Sequence, residues 1–501
     1  MLEVLSLVRS MKNSFAPINR IPQEVLSLIS DHCDTDEELI TMTHVCRGWR
    51  KQFTSRSSLW TFLDCASVDQ TRVYLERSKT SPLEICLGEE ECAPFLNDAF
   101  LLTVPHLGRL KSLSIAGSSN DLIELTKYFV HCRAPLLEKL RIRFTCTNPP
   151  TIQAAIFDGD LSSLRELRLS GVLSNLPWKN LSNLTTFDFR QVPSDKISVT
   201  RLLDLFERAP VLRIIKLAYA FPKTCNAPHE RMVSLPHLKL LDITAQQVHS
   251  ILLDHLSIPT GASLMLEFDF SDEKSPIPTY LPSTMKNLGN ISHITSINLH
   301  YRSRKPGMDL RLEGPNGGLY MFGNWVGAAT SLPVVDRRVL RSLNHFDVSA
   351  IETFTITQYP SPPPLKIENS PAYQTLFLMN ALRTLTLVDC LNLPFVLALN
   401  PNRIHSKAVA CPELEELVLY IKNKDRFCIN ELLEMVKERA SRGAELSTIT
   451  IVCSREFVPA KEVLKLRGYV SSVEYRLDDV VPDWDSIPND VVDDTGYETD
   501  W

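Results

Sequence analysis

A six-residue motif, L-x-x-L-x-L with other apolar residues accepted at the fixed positions, recurs along the chain after residue 100. Clear copies begin at Leu110, Leu137, Leu164, Leu184, Leu212, Leu238, Leu382 and Leu414. Weaker copies cover residues 265–270, 294–299, 351–356 and 446–451. The central apolar positions mostly lie 26 to 32 residues apart, with one step of 57 residues from Ile297 to Phe354. Because apolar and polar residues alternate within each copy, every copy predicts a strand.

Segments with helical spacing of apolar residues separate several of these strands, as in residues 121–130, 200–208 and 430–439. A strand and a helix alternating at a repeat of about 28 residues are typical of a leucine-rich-repeat solenoid. We therefore expect an α/β fold with an irregular solenoid, in which a curved parallel sheet carries helices on its convex side. The long step predicts a degenerate repeat or an insertion. The Gly-rich and Pro-rich segments 301–324 and 358–371 are expected to be loops at the solenoid edge.

Residues 18–65 follow a different pattern, which predicts a set of short helices. The first helix is expected to run from about Pro22 to Asp31, because proline is favoured at the first position of a helix. Its apolar residues recur at helical spacing and are expected to share one buried face. They are Ile21, Val25, Leu26 and Ile29.

The second helix is predicted to begin after Thr35. The Thr35 hydroxyl and the Glu38 carboxylate can form a capping box there, with acidic residues at the positive end of the helix. Five apolar residues are expected to continue its buried side. They are Leu39, Met42, Val45, Trp49 and Phe53.

A third short segment follows Ser57 and Ser58 and carries Leu59 and Trp60. Two large indoles, Trp49 and Trp60, thus fall in a unit of only some 45 residues, which is small for burying them. The residues themselves leave two interpretations open. The indoles are either the local core or exposed anchors for another helical protein.

Three stretches of this region together resemble the F-box. They are I-P-x-E-V-L-x-x-I at 21–29, V-C-R-x-W-R at 45–50 and S-L-W at 58–60. The resemblance implies a three-helix module that docks on the Skp-type adaptor of a cullin-RING ubiquitin ligase. The residues that match the docking positions of the family are Pro22, Leu26, Ile29, Val45, Trp49, Leu59 and Trp60.

The region from 105 to 455 resembles the leucine-rich repeats found behind many F-boxes, although most copies lack the Asn or Cys that closes the family motif. The two resemblances imply a non-catalytic receptor that presents a protein substrate for ubiquitination. The expected domains are an N-terminal flank (1–17), the F-box (18–65), a linker and first cap (66–104), the solenoid (105–455, irregular over 300–345), a C-terminal cap (456–477) and an acidic tail (478–501). In the tail, nine of 24 residues are acidic and none is basic.

The strand pattern also predicts a substrate-binding face. Side chains on either side of each central position point to the concave side, because successive residues of a strand alternate faces. The early repeats place six cations there, namely Lys139, Arg141, Arg143, Arg168, Arg190 and Lys216. These cations predict binding of an acidic or phosphorylated substrate segment, because arginines on adjacent strands offer bidentate hydrogen bonds to phosphate. The alternative is a solvated face whose charges keep the sheet soluble.

Composition and charge exclude several classes of function. The 501 residues carry a net charge of -6, which argues against general binding of nucleic acid or an anionic membrane. Twelve cysteines occur without a C-x-x-C pair, so no metal or redox site is expected and an intracellular location is favoured. No motif of an enzyme, cofactor site or membrane span is recognisable. A repeat scaffold that does not act in ubiquitination is the alternative function.

Overall fold

The computed structural model shows an α/β protein in which seventeen strands belong to one large, mostly parallel sheet. The residues it describes are 4, 8, 11, 15, 17, 21–30, 32, 35–88, 98–117, 125, 127–130, 132–144, 151–152, 156–159, 161–174, 180–192, 198–219, 228, 230–245, 251–270, 281–282, 285–302, 307–325, 340, 343, 346–357, 371–388, 393–403, 408–421, 428–453 and 464–477. The chain divides into two compact units. The first is Met1–Lys196 with Asp204–Ile214, and the second is Ile197–Leu203 with Ile215–Trp501.

The first unit begins with helices and continues with parallel strands. Its helices are α1 (Gln23–Ser30), α2 (Asp36–Val45), α3 (Arg47–Ser55), α4 (Val68–Ser78) and α5 (Asp98–Thr103). Its strands are β1 (Phe62–Leu63), β2 (Leu83–Leu87), β3 (Leu110–Gly117), β4 (Lys139–Phe144), β5 (Thr151–Ile152), β6 (Glu166–Ser170), β7 (Leu173–Ser174) and β8 (Thr186–Arg190). The strands β1, β2, β3, β4, β6 and β8 pair in that order, all parallel.

The register of the strands brings the central apolar residues of successive motifs together. The central apolar residues of the first four motifs are direct neighbours across β3, β4, β6 and β8. They are Leu113, Leu140, Leu167 and Phe187, and each is at most 1% exposed. One apolar residue per repeat therefore builds a continuous buried row behind the sheet. The ring of Phe206, in the segment Asp204–Ile214, packs edge-on against Phe187 with centroids 6.3 Å apart.

The boundary between the units falls within α6 (Val199–Arg208). Among the described residues, the remaining helices are α7 (Pro371–Leu378), α8 (Leu393–Leu399) and α9 (Ile429–Ser441). The remaining strands are β9 (Ile214–Ala218), β10 (Val233–Ser234), β11 (Leu240–Ala245), β12 (Leu256–Ser257), β13 (Ser263–Phe270), β14 (Ser296–Arg302), β15 (Gly307–Glu313), β16 (Gly318–Trp325), β17 (Thr353–Thr357), β18 (Thr384–Val388), β19 (Glu416–Ile421), β20 (Thr448–Cys453) and β21 (Ser472–Leu477). All twelve copies of the motif overlap strands, which confirms the strand prediction. The helices predicted at 200–208 and 430–439 are confirmed as α6 and α9.

The prediction of a loop over 301–324 is wrong. Strands β15 and β16 lie there and enter the sheet in the order β13, β16, β15, β14, β17, with β15 antiparallel to both of its neighbours. The glycines that suggested a loop sit where backbones approach closely. A Cβ on Gly307 would lie 2.5 Å from the carbonyl oxygen of Gly323, and one on Gly318 would lie 2.6 Å from that of Leu312. The 57-residue step therefore holds an inserted pair of strands.

Several other sequence predictions fall outside the described residues. These are most of the flank 1–17, the segment 358–370 and the acidic tail 478–501. Within the expected C-terminal cap, β21 extends the sheet by pairing parallel with β20.

The thiols of Cys65, Cys411 and Cys453 are buried and are not joined in disulfides. Burial raises the pKa of the Cys65 thiol to about 12, with a smaller contribution from Asp64. Burial also raises the pKa of Cys411 to about 12, against the opposing effect of Arg439. These thiols stay protonated at neutral pH and pack as small apolar groups, as their apolar sequence neighbours predict.

Candidate functional site

The helices α1, α2 and α3 meet in one apolar cluster made by Leu26, Met42, Trp49 and Phe53. The predicted capping box is confirmed at the start of α2. The Thr35 hydroxyl accepts from the Glu38 backbone N–H, and the Glu38 carboxylate accepts from the Thr35 N–H, both at 3.3 Å. This exchange satisfies two backbone donors that the first helical turn leaves open, so it fixes where α2 begins.

The continuous second helix predicted through Phe53 is not observed, because the chain breaks at Cys46. The backbone of Cys46 is extended, with φ -157° and ψ 170°, and its thiol accepts from the Trp49 N–H at 3.5 Å. Val45, the last residue of α2, is 47% exposed, contrary to its expected place in the buried stripe. Trp49 and Phe53 point inward on α3 and stack edge to face with centroids 5.6 Å apart.

The seven residues predicted to dock an adaptor separate into two groups. Leu26, Trp49 and Trp60 are buried, with 4%, 9% and 0% of their surface exposed. Pro22 is exposed, Ile29 and Val45 are substantially exposed, and Leu59 is partly buried against the apolar cluster. The exposed members are accessible at the surface, whereas the buried members pack inside the helical region.

Trp60 is the most completely enclosed of the seven. Its indole Nε1 donates to the carbonyl oxygen of Phe53 at 2.9 Å. The ring meets Tyr74 edge-on with centroids 5.0 Å apart, and the Arg77 guanidinium lies 4.3 Å from its centroid. Trp60 thus joins α3 to α4, which favours the local-core interpretation for this residue.

Several large apolar side chains of α1 and α2 stay exposed, and we refer to them together as the exposed strip. Its members are Val25, Leu28, Ile29, Ile40 and Val45, each between 38% and 62% exposed. Val25 and Ile29 are exposed, contrary to their expected place in the buried face of the first helix. Among the described side chains of α1, the buried ones are Leu26 and Ser30, spaced by one helical turn. Leu28 and Ile40 are not among the positions that match the F-box. Hydrophobic periodicity does not predict their exposure either, because it assigns apolar residues to the interior.

The second predicted site lies on the face of β4, β6 and β8 opposite the buried row. On β4, Lys139, Arg141 and Arg143 alternate with three buried apolar residues, as predicted. Register places Arg141 beside Arg168 and Arg168 beside Asp188. We call the five cations Lys139, Arg141, Arg143, Arg168 and Arg190 the basic face. Lys216 lies on β9 in the second unit and is half-buried.

Two buried carboxylates neutralise part of the basic face. The Nε atoms of Arg141 and Arg168 lie 2.8 and 2.7 Å from the same Oε1 of Glu166. Arg190 donates to both oxygens of Asp188, at 2.7 and 2.9 Å. Because the side chains of Glu166 and Asp188 are only 9% and 3% exposed, these pairs are anchored within the protein. Counted by themselves, these five cations and two carboxylates carry a formal charge of +3.

No protein-family model matches the chain, and no curated protein matches it. None of the described helices combines the length and the apolar content needed to cross a membrane. Within the described ranges, His, Cys, Asp and Glu side chains form no group of three that could hold a metal ion.

Proposed function

We propose that this chain is a non-catalytic substrate receptor of a cullin-RING ubiquitin ligase. In this proposal α1, α2 and α3 act as an F-box that docks on a Skp-type adaptor. The strands after residue 105 act as a leucine-rich-repeat-like solenoid that holds a protein substrate. The receptor needs no catalytic residue or cofactor, because it acts by raising the local concentration of the substrate beside the ligase.

The exposed apolar strip carries this proposal. Five large aliphatic side chains on two short helices stay exposed to water, and apolar side chains of this kind supply most of the energy of protein interfaces. Ile29 and Val45 of the strip belong to the positions that resemble the F-box. The strip contains no ionisable side chain, so its own contacts with an adaptor would be apolar and would not depend on opposite charges.

We expect the double substitution Ile29→Glu, Val45→Glu to abolish adaptor capture. Each substitution puts a charge into an apolar interface, so that binding should weaken about 100-fold or more. Co-purification of a Skp-type adaptor with the full chain measures the effect. The fold should survive because both side chains already face solvent.

A matched control is Leu136→Glu, which changes an apolar residue of similar exposure, 46%, outside these helices. This variant should capture the adaptor as well as the parent chain does. Circular dichroism and the thermal midpoint should agree among all three proteins. Undiminished capture by the double variant would contradict the proposed docking surface.

A repeat scaffold outside ubiquitination is the second candidate. The burial of Leu26, Trp49 and Trp60 favours it, because these residues have a structural role that requires no adaptor. The intact chain distinguishes the candidates: failure to capture any Skp-type adaptor, with the fold preserved, supports the scaffold.

The basic face is proposed to hold an acidic or phosphorylated segment of the substrate. Arg141 and Arg168 already share Glu166, and Arg190 is engaged by Asp188. The carboxylates hold these guanidinium planes in place while the face keeps an excess of positive charge, a combination suited to phosphate.

We expect Lys139→Glu, Arg143→Glu to weaken binding of an acidic phosphoserine peptide by about tenfold or more, since the face would change from net positive to net negative. Arg141 and Arg168 are less informative, because replacing either alters a buried ion pair. Fluorescence anisotropy with the labelled peptide and with its uncharged Ser/Gln counterpart measures the change. The control Arg72→Glu, Lys79→Glu makes the same charge change elsewhere in the first unit. Equal loss in both variants would contradict a specific face.

A further inference from the structure

A polar cleft lies in the second unit, where the inserted strand β15 runs beside β14 and β17 runs on the other side of β14. Six polar side chains line it, namely Asn298, His300, Asp309, Arg311, Thr355 and Thr357. The strand register groups them into two rows. In one row Asn298 lies between Arg311 and Thr355; in the other His300 lies between Asp309 and Thr357. The cleft therefore depends on the insertion, which supplies Asp309 and Arg311.

The cleft contains hydrogen-bond donors that the protein itself does not use. No hydrogen bond or ion pair joins the half-buried Arg311 guanidinium to another described residue. The same holds for the hydroxyls of Thr355 and Thr357, of which Thr357 is only 4% exposed. A guanidinium with five N–H donors that lines the same cleft as two uncommitted hydroxyls is a natural receptor for an oxyanion.

The surrounding charges limit the charge that such a ligand can carry. The Asp309 carboxylate pairs with Arg302, whose Nε lies 3.0 Å from Oδ1, so Arg302 is already engaged. Glu313 lies two residues beyond Arg311 on the same face of β15, and Asn298 Nδ2 lies 3.4 Å from its Oε2. One uncommitted positive charge flanked by two carboxylates favours a single negative charge and opposes a dianion.

We propose that this cleft binds a carboxylate group, with Arg311 as its counter-charge and the hydroxyls of Thr355 and Thr357 as additional donors. The carboxylate belongs either to an acidic side chain of a bound protein or to a small organic acid, because both offer the same planar pair of oxygens to the guanidinium. The site is independent of adaptor docking and of the basic face, so neither test above bears on it.

The test uses the intact chain and ligand-detected NMR titration with three probes: acetate, a capped tripeptide with a central Glu, and inorganic phosphate. We expect acetate and the tripeptide to bind and to compete with each other, and phosphate to bind more weakly. Arg311→Gln should weaken carboxylate binding by about tenfold or more. Arg383→Gln is the matched control, because it removes a 57% exposed guanidinium of the same unit that does not line the cleft.

A second variant, Thr355→Val, removes a donor with little change of shape and should weaken binding while keeping the thermal midpoint of the parent. Binding of both carboxylate probes assigns the cleft to an acidic protein side chain. Binding of acetate with exclusion of the tripeptide assigns it to a small organic acid. Parent-like carboxylate affinity in a folded Arg311→Gln chain, or tighter binding of phosphate than of acetate, would overturn the proposal.

Discussion

Replacement of Trp60 by Ala is expected to destabilise the first unit by about 3–5 kcal/mol. The substitution removes a completely buried indole, its edge-on contact with Tyr74 and the hydrogen bond from Nε1 to the Phe53 carbonyl. It leaves a cavity between α3 and α4 and takes from the Phe53 carbonyl one of its two hydrogen bonds, since the Arg56 N–H also donates to it at 3.3 Å. Hydrogen exchange at the backbone amides of α3 and α4 in the intact chain measures the loss, because it reports the opening free energy of these elements separately from the second unit.

Trp60→Phe is the matched control for this prediction. It keeps an aromatic ring beside Tyr74 but loses the Nε1 donor, so we expect a loss of only about 1–2 kcal/mol. Adaptor capture should fall in Trp60→Ala only as far as the helices open. If Trp60→Ala abolished capture and left the exchange rates of α3 and α4 unchanged, Trp60 would be a docking residue and the core interpretation would be wrong.

The strands could be predicted from sequence because each repeat contributes the same local pattern. Leu140 and Leu167 are neighbours in the sheet. The alternation of apolar and polar residues around each of them predicts its strand without reference to the other. The inserted strands lacked this signal. Gly307 and Gly318 lie where another stretch of backbone approaches too closely to leave room for a Cβ. In the sequence alone, glycines of this kind cannot be distinguished from the glycines of a loop.

The helical region shows where periodicity misleads. Apolar spacing continues from Met42 through Trp49 to Phe53, so it predicts one helix across Cys46. The actual break depends on a local alternative, an extended Cys46 whose thiol caps α3. Val45, the last residue of α2, lies on the exposed side of that helix. The exposed strip could therefore be expected from family resemblance at Ile29 and Val45, but not from the hydrophobic pattern.

For the basic face, the sequence predicts which charged residues are present but not which of them form ion pairs. Its cations and their alternation follow from the sequence, and so does the presence of Glu166 and Asp188. The sequence does not show that Glu166 reaches the Nε atoms of two arginines on adjacent strands, because that contact depends on the register between β4 and β6. Cross-strand geometry thus determines which cations remain available to a ligand.

Arg439→Met is expected to destabilise the second unit by about 3 kcal/mol or more, because Arg439 on α9 is completely buried and satisfies three backbone carbonyls. Its guanidinium donates to the oxygens of Ala410 at 2.8 Å, Cys411 at 2.9 Å and Ala444 at 3.1 Å. Burial lowers the pKa of Arg439, so the charge is costly and these carbonyl contacts offset that cost.

The contacts of Arg439 also hold a strained turn. Cys411 has a φ of 48°, in the left-handed region, and its thiol donates to the Leu376 carbonyl of α7 at 3.0 Å. Removing the guanidinium takes from the Cys411 carbonyl one of its two hydrogen bonds, the other being donated by the Leu414 N–H at 3.2 Å, and loosens the link from α7 through this turn to α9. Hydrogen exchange should therefore accelerate in both helices together. Labelling of Cys411 by a thiol reagent should rise in parallel, because opening restores an ordinary thiol pKa.

Arg439→Lys separates charge from geometry. A lysine keeps the positive charge but cannot reach three carbonyls with the planar fork of a guanidinium, so the stability of this variant should lie between that of Arg439→Met and that of the parent chain. The control Arg403→Met removes a half-exposed arginine paired with Glu434 and should change stability by less than about 1 kcal/mol. Parent-like exchange in Arg439→Met would show that the three carbonyls find water instead, and the buried guanidinium would then be dispensable to the fold.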